Sequence, residues 1–284
     1  MPDGRQLPDR LGGDSLYAAI GARAFADDVE LVTRLGRRFP PQLVEALEAA
    51  GYGAGLIPTE HDTVRLRVDW GVEGRGRFTF HEEAGTYEDT TPVPDEIPAA
   101  LTDRLDAVHV APVPLPQMAP LVRWARPLAQ LLTVDPHYEH VSGTEEQWRS
   151  LLPLVDAFLP SRDEATALLG GWPGPEGAVR ELASWGARVA VVKLGAEGSI
   201  ACRDGELVRM GAATTDLVDP TGCGDAFCGG FLVGLRETGD LRTALAHGAV
   251  AASFAGEGHG AEHALEPDRT EAQRRLASLL APTS

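Results

Sequence analysis

Cysteine is scarce, at three residues in 284, and the number is odd. A disulfide framework is therefore not expected, and Cys202, Cys223 and Cys228 read as free thiols. Zinc signatures are missing as well, because the chain has neither a paired CxxC nor an HExxH. No apolar run approaches the roughly 18 residues that a membrane helix needs. The first residues, MPDGRQLPDR, lack the apolar core of a signal peptide. A cytoplasmic protein without a membrane partner is the expectation. Positive charge is in short supply too: 25 Lys and Arg face 42 Asp and Glu, for a net charge of -17. No Lys/Arg cluster offsets this locally, so nucleic acid is not an expected partner. A small phosphorylated ligand is still compatible, since backbone N–H groups and a metal ion can make a site locally positive. A strand followed by GxGxxG is absent, and so is GxxxxGK[ST], which counts against a dinucleotide-dependent oxidoreductase and against the common P-loop.

What is present is ordinary globular material, 43% hydrophobic and 24% charged, enough to bury a sizeable core. From residue 29 onward, short β-branched runs alternate with stretches of helical period. VELVTRLG precedes PQLVEALEAAG, DAVHVAPVP precedes a helix around 116–129, and LLTVDP precedes TEEQWRSLL. VDAFLP then precedes RDEATALLG, and a helix near 176–186 leads into the strand RVAVVKLG and a long helix from about Gly222. This pattern predicts a three-layer, doubly wound (Rossmann-like) α/β sheet. Ligands of such sheets bind beyond the carboxyl ends of the strands.

Residues 62–82, DTVRLRVDWGVEGRGRFTFHE, break the alternation. Val64, Leu66, Val68 and Trp70 fall on one face and Arg65, Arg67 and Asp69 on the other, followed by a Gly-rich turn and Phe78 and Phe80. Period two in two runs predicts a half-buried hairpin, either a flap on the main body or a lid over a cleft. The domain reading is thus one α/β unit, 1–61 and 83–284, with a β lid at 62–82 inserted.

The segment Asp219–Gly230, DPTGCGDAFCGG, sets Gly222 and Gly224 around Cys223, then Asp225, then the apolar start of a helix. Glycines there allow close approach of a ligand, and a helix N-terminus turns free N–H groups and a positive dipole end toward it. An Asp in the first turn also has a plainer use as a favourable charge at that terminus.

The full string D-P-T-G-x-G-D followed by x-x-x-G-G closely resembles the C-terminal motif of the PfkB family of ribokinase-like carbohydrate and nucleoside kinases. The resemblance implies ATP-dependent, Mg2+-assisted phosphoryl transfer to a hydroxyl of a sugar, nucleoside or related polyol. Asp225 would be the base, and the amides of Gly222, Cys223 and Gly224 would form the anion hole. Cys223 stands where the family usually has Ala, a change a backbone site tolerates. Members often bind a monovalent cation such as K+ beside this loop, which would fall at Asp219 and Thr221. Phosphoryl transfer rests on positioning and charge stabilisation, so no cysteine nucleophile is required.

Upstream, RVAVVKLGAEGSIAC is a strand, a Gly-bearing turn and a strand. Similar family strings wrap the ATP phosphates and ribose, which makes Lys193, Gly195 and Gly198 nucleotide-binding candidates; an ordinary turn would use the same glycines. ASFAGEGHGA, residues 252–261, lies where the family's purine pocket closes. The family's Asn-x-x-Glu metal motif corresponds to Ser161–Glu164, with Ser for Asn. Glu164 is read as part of the metal shell or as half of a capping box with Ser161. LGGDSLYAAIGARAF resembles the segment beside the sugar, with Gly12 and Gly13 matching. Tyr17 replaces a frequent Asn and either stacks on a substrate ring or packs the helix. The family's first strand and its substrate-binding Asp have no counterpart ahead of Gly12. Either that strand is lost or the true start lies upstream. A non-catalytic nucleotide- or sugar-binding relative is the alternative function, and either a monomer or a homodimer is compatible with the lid's edge.

Overall fold

A strand with apolar residues at every position is buried on both faces, and VAVV, ahead of Lys193, is such a string. The computed structural model describes residues 9–70, 76–81, 84–102 and 105–281. Along the chain run α1 (Asp14–Arg23), β1 (Thr33–Leu35), α2 (Pro41–Ala49), β2 (Leu56–Pro58), β3 (Leu66–Trp70), β4 (Gly76–Phe80) and the short α3 (Tyr87–Thr90). β5 (Leu105–Val110), α4 (Leu115–Ala125), β6 (Ala129–Val134), α5 (Glu145–Leu151), β7 (Ala157–Phe158), α6 (Arg162–Leu168) and α7 (Pro175–Ala183) follow. The chain continues through β8 (Val189–Lys193), β9 (Ser199–Arg203), β10 (Glu206–Met210), α8 (Cys223–Thr238), α9 (Leu241–Ala255) and α10 (Arg269–Leu280).

The main sheet has the order β10-β9-β8-β7-β6-β5. β5 to β8 are parallel, and β9 and β10 return antiparallel at the edge. On β8, Ala190 and Val192 join one core with Met118, Trp148, Phe158 and Leu182, while Val189 and Val191 join a second with Phe231, Leu245 and Phe254. Helices thus cover both faces, the doubly wound arrangement that the βα alternation predicts. The helix expected around 116–129 ends earlier, at Ala125, because β6 already begins at Ala129. No described helix is long and apolar enough to cross a membrane.

α8 is buried from Ala226 to Leu235, since it lies between α1 and α9. The paired glycines of the motif explain how. A Cβ at Gly229 would sit 1.8 Å from the Ala18 carbonyl oxygen of α1, and one at Gly230 would sit 2.6 Å from Ala251 Cβ of α9. Gly229 and Gly230 are therefore required by helix–helix contact, a structural use separate from the chemistry at the helix start.

One expectation is corrected. VELVTRLG reads as a member of the central sheet, but among the described residues β1 pairs in parallel with β2 alone, in a sheet of two strands. Among the described residues no strand precedes α1. Leu31 to Leu35 and Leu105 to Val110 instead line the same large cleft, so the edges of β1 and β5 border open space where the alternation predicted pairing. The hairpin forms as expected: β3 and β4 pair antiparallel with Leu66 opposite Phe80. Leu66 and Val68 are half-buried, while Arg65 and Arg67 are exposed. Its turn, residues 71–75, and the side chains of Trp70 and Phe78 lie outside the described residues, as do residues 1–8.

Candidate active site

A cleft of about 2500 Å3 opens between the start of α1, the hairpin, the end of β5 and the start of α8. Gly222 caps α8 in the left-handed conformation, φ 78°. The position is open only to glycine for a second reason, because a Cβ there would lie 2.2 Å from Cγ of Tyr17. Tyr17 is 2% exposed and its ring supports the anion-loop backbone, which favours the packing use of this residue. Burial, then the charges of Asp219 and Asp225, push its phenol above the usual tyrosine range. Gly12 and Gly13 line the same cleft, Gly13 with φ 110°.

The loop entering α8 is held from several directions. Asp219 Oδ1 accepts from the Thr221 backbone N–H (2.9 Å) and hydroxyl (2.6 Å), and Oδ2 meets His259 Nδ1 at 3.0 Å. Burial alone would raise this carboxyl, but the bonds from Thr221 and His259 hold it below the ordinary carboxylate range. Gly256 O accepts from the backbone of Val218 and Asp219. The stretch 252–261 thereby braces the loop, and through Ala261 N to Leu11 O at 2.8 Å it also ties down the approach to α1. Cys223 N–H turns back to Pro220 O at 3.2 Å. Of the three expected anion-hole amides, that one already has a partner within the turn.

Asp225 stands in the first turn of α8 and faces the cleft. Burial and the neighbouring Asp14 carboxylate push its carboxyl well above the ordinary range, against the pull of Lys193. Lys193, the last residue of β8, forms an ion pair with Asp135 just beyond the end of β6. Its Nζ also lies 3.5 Å from Cys228 Sγ and 3.5 Å from where a Cβ on Gly224 would be. Burial works against the ammonium charge, yet Asp135 and the surrounding acidic groups hold its pKa well above the usual lysine value. Gly195 and Gly198 close the turn after β8 with φ 62° and 86°, as the strand-turn-strand reading requires.

Glu164 makes the capping box with Ser161: the Ser161 hydroxyl accepts from Glu164 N at 3.3 Å and Ser161 N donates to Glu164 Oε2 at 2.6 Å. It also belongs to the electrostatic cluster. Burial and then Asp135 raise its carboxyl to about 7. The two readings of this residue are therefore not exclusive.

Sequence reasoning passed over two members of the cluster. Asp14 opens α1, and burial, followed by Asp135 and Glu164, raises it to about 7. Asp135 is raised by burial to about 6, with Lys193 opposing, and its Oδ1 is buried without a partner. Both carried a readable signal: Asp135 ends the strand-like run LLTVD at the carboxyl edge of a parallel sheet, and Asp14 directly follows Gly12-Gly13. His109, near the end of β5, was also passed over. Its Nδ1 lies 2.9 Å from Thr133 Oγ1, and burial pushes its ring down to about 3, so it is neutral.

Four carboxyl groups thus share one neighbourhood with one lysine ammonium, and burial, followed by their mutual repulsion, raises all four. An all-oxygen set with a free buried Oδ1 suits a hard divalent cation such as Mg2+. Cys223, raised to about 12 by burial and by Asp225 and Asp219, stays a thiol and is no nucleophile.

Such a fold and site define an α/β small-molecule kinase. The pfkB family carbohydrate kinase pattern matches residues 11–268, and the chain belongs to that family. It is 27% identical over 240 residues to a cytidine kinase of Thermococcus kodakarensis, covering 82% of this chain and 83% of that one. It is 26% identical over 283 residues to a 2-dehydro-3-deoxygluconokinase of Thermoproteus tenax, covering 95% and 86%. The fold matches a fructokinase from Vibrio cholerae O395 solved with fructose, ADP and calcium ion, with TM-score 0.77, 21% identity and 97% and 94% of the two chains covered. It also matches a Burkholderia thailandensis nucleoside kinase in complex with inosine, with TM-score 0.76, 18% identity and coverage of 95% and 86%. The chain is a carbohydrate kinase, and its relatives act on sugars and nucleosides.

Proposed function

We propose that the chain transfers the γ-phosphoryl group of ATP to a hydroxyl of a sugar, nucleoside or related polyol, with Asp225 as the base. The observation that carries this reading is the position of Asp225 in the first turn of α8, facing the cleft directly after Gly222 and Gly224, with its carboxyl raised by burial and by Asp14. A base is most useful when its pKa approaches the working pH. Asp225 accepts the proton of the acceptor hydroxyl as that oxygen attacks. The amides of Gly222, Cys223 and Gly224 and the dipole of α8 stabilise the negative charge on the transferred group. The N–H of Cys223 gives up its 3.2 Å bond to Pro220 O in doing so. Lys193, Gly195 and Gly198 line the nucleotide side. Asp135, Asp14 and Glu164 are the side chains that would hold Mg2+, which when bound neutralises phosphate charge. Asp219 and Thr221 are the proposed edge of a K+ site. Gly12, Gly13 and Tyr17 form the acceptor side, and the hairpin 62–82 acts as the lid that excludes water.

The test is a coupled ADP-release screen with Mg2+ over sugars, polyols and nucleosides. At least one acceptor class should give turnover that vanishes in Asp225→Asn while nucleotide binding persists. ATP binding with no ADP release for any acceptor would support the non-catalytic alternative, and wild-type turnover in Asp225→Asn would remove the assignment of the base.

A further inference from the structure

Apart from the carboxylate cluster, the loop after β6 gathers three more metal-ligating side chains. His137 caps a single 3-10 turn, Tyr138–His140. His137, extended at the N-cap, and His140, the last residue of the turn, stand side by side with ring centroids 5.1 Å apart. The Glu139 carboxylate joins them, and one ligand atom from each of the three lies within 4.8 Å of the others. Tyr87 of α3 packs against both rings, 4.6 Å from His137 and 6.4 Å from His140 between centroids. It restricts their orientation from outside, as supporting residues do around a bound metal. A cavity of about 250 Å3 lined by Glu139, His140, Phe80 and Tyr87 adjoins the group, leaving room for a water or another exchangeable ligand.

We propose that His137, Glu139 and His140 form a site for a divalent transition-metal ion of the zinc type, with a donor set different from that of the all-carboxylate cluster beside Asp225. Two imidazoles and one carboxylate form a donor set that suits zinc, whereas carboxylates alone suit magnesium. Bonds of roughly 2.0–2.2 Å to a tetrahedral ion require donors roughly 3.3 Å apart, so the three side chains, within 4.8 Å of one another, have to draw in by roughly 1–1.5 Å on binding. The lone pair on His137 Nδ1 now accepts the Glu139 backbone N–H at 3.3 Å, a long bond that a metal–nitrogen bond replaces at small cost. HExxH is absent because that motif reads α-helical spacing. Here the donors stand at i, i+2 and i+3 on a 3-10 turn. Nothing in this proposal depends on which reaction Asp225 serves.

The test uses chelator-stripped full-length protein, titrated calorimetrically with ZnCl2 in excess MgCl2, with CoCl2 as a spectroscopic probe. One zinc per chain is expected, with a visible cobalt spectrum of nitrogen and oxygen ligation. His140→Gln should weaken zinc binding about tenfold or more, and the double variant His137→Ala/His140→Ala should abolish it, while Asp225→Asn titrates like the parent. Zinc should raise the melting temperature of the parent and leave that of the double variant unchanged, a readout that separates ligation from misfolding. No zinc uptake by the parent, uptake equal in the double variant, or uptake lost on Asp225→Asn or displaced by magnesium would each overturn the proposal.

Discussion

At the α8 end of the cleft, the loop 219–222 is tied to Gly256, His259 and Thr221, Gly222 rests on Tyr17, and Lys193 is locked to Asp135 between strand ends. At the β1 end, among the described residues, two short strands pair only with each other and a hairpin pairs only with itself. The first region has its backbone and charges bound to the core of the molecule; the second keeps sheet edges and half-buried apolar faces beside open space. The difference suits the proposed function: groups that stabilise a charge appearing only in the transition state have to be preorganised, whereas a lid has to open and close.

The sharpest way to break this contrast is at Asp225. Asn at that position should lower kcat by about 1000-fold, within the usual range for loss of a general base, with nucleotide affinity retained in a binding titration. Next comes Lys193→Met, which leaves Asp135, 2% exposed at its side chain, as an uncompensated buried charge. Breaking a buried pair in this way costs about 3–5 kcal/mol, read from the denaturant midpoint. Gly229→Ala pushes α1 off α8 and should cost about 1–3 kcal/mol by overpacking. In the hairpin, Leu66→Ala should cost less stability than either and should instead raise the acceptor KM with ATP KM unchanged. A stability loss there equal to that of Gly229→Ala would erase the contrast.

The smallest expected effect is on pH dependence. Asp14 and Glu164, raised to about 7, and Asp135, raised to about 6, bind protons more tightly when folded than when unfolded. The stability they lend is complete below about pH 4 and is lost as pH rises through 7. Without Mg2+, the melting temperature should therefore fall between pH 5.5 and 8. Saturating Mg2+ should flatten the slope; an equal slope with and without the ion would separate these carboxyls from the metal.

Much of the fold was legible because it is local. The runs behind β5 to β8 are short, apolar and each followed by a helical period, and the hairpin alternates at Val64, Leu66 and Val68. The segment from Asp219 to Gly230 carries its turn, its two glycines and Asp225, the proposed base, in one stretch of chain. The capping box of Ser161 and Glu164 spans three residues and was readable in the same way. β1 was misassigned to the central sheet because apolar periodicity shows that a strand is partly buried, not which neighbour it pairs with.

By itself the sequence determined what lies within a turn or two: most of the strands and helices, the glycines that permit close approach around α8, and the placement of Asp225 at the start of that helix. Only the tertiary structure decided which acids gather around Asp225. Lys193 meets Asp135 across 58 residues and Cys228 meets Asp135 across 93, and Asp14 approaches from the far end of the chain. Glu164, taken alone, is a helix cap. It becomes a metal candidate when the converging strand ends bring Asp135 and Lys193 beside it, because burial and like charge act through space rather than along the chain.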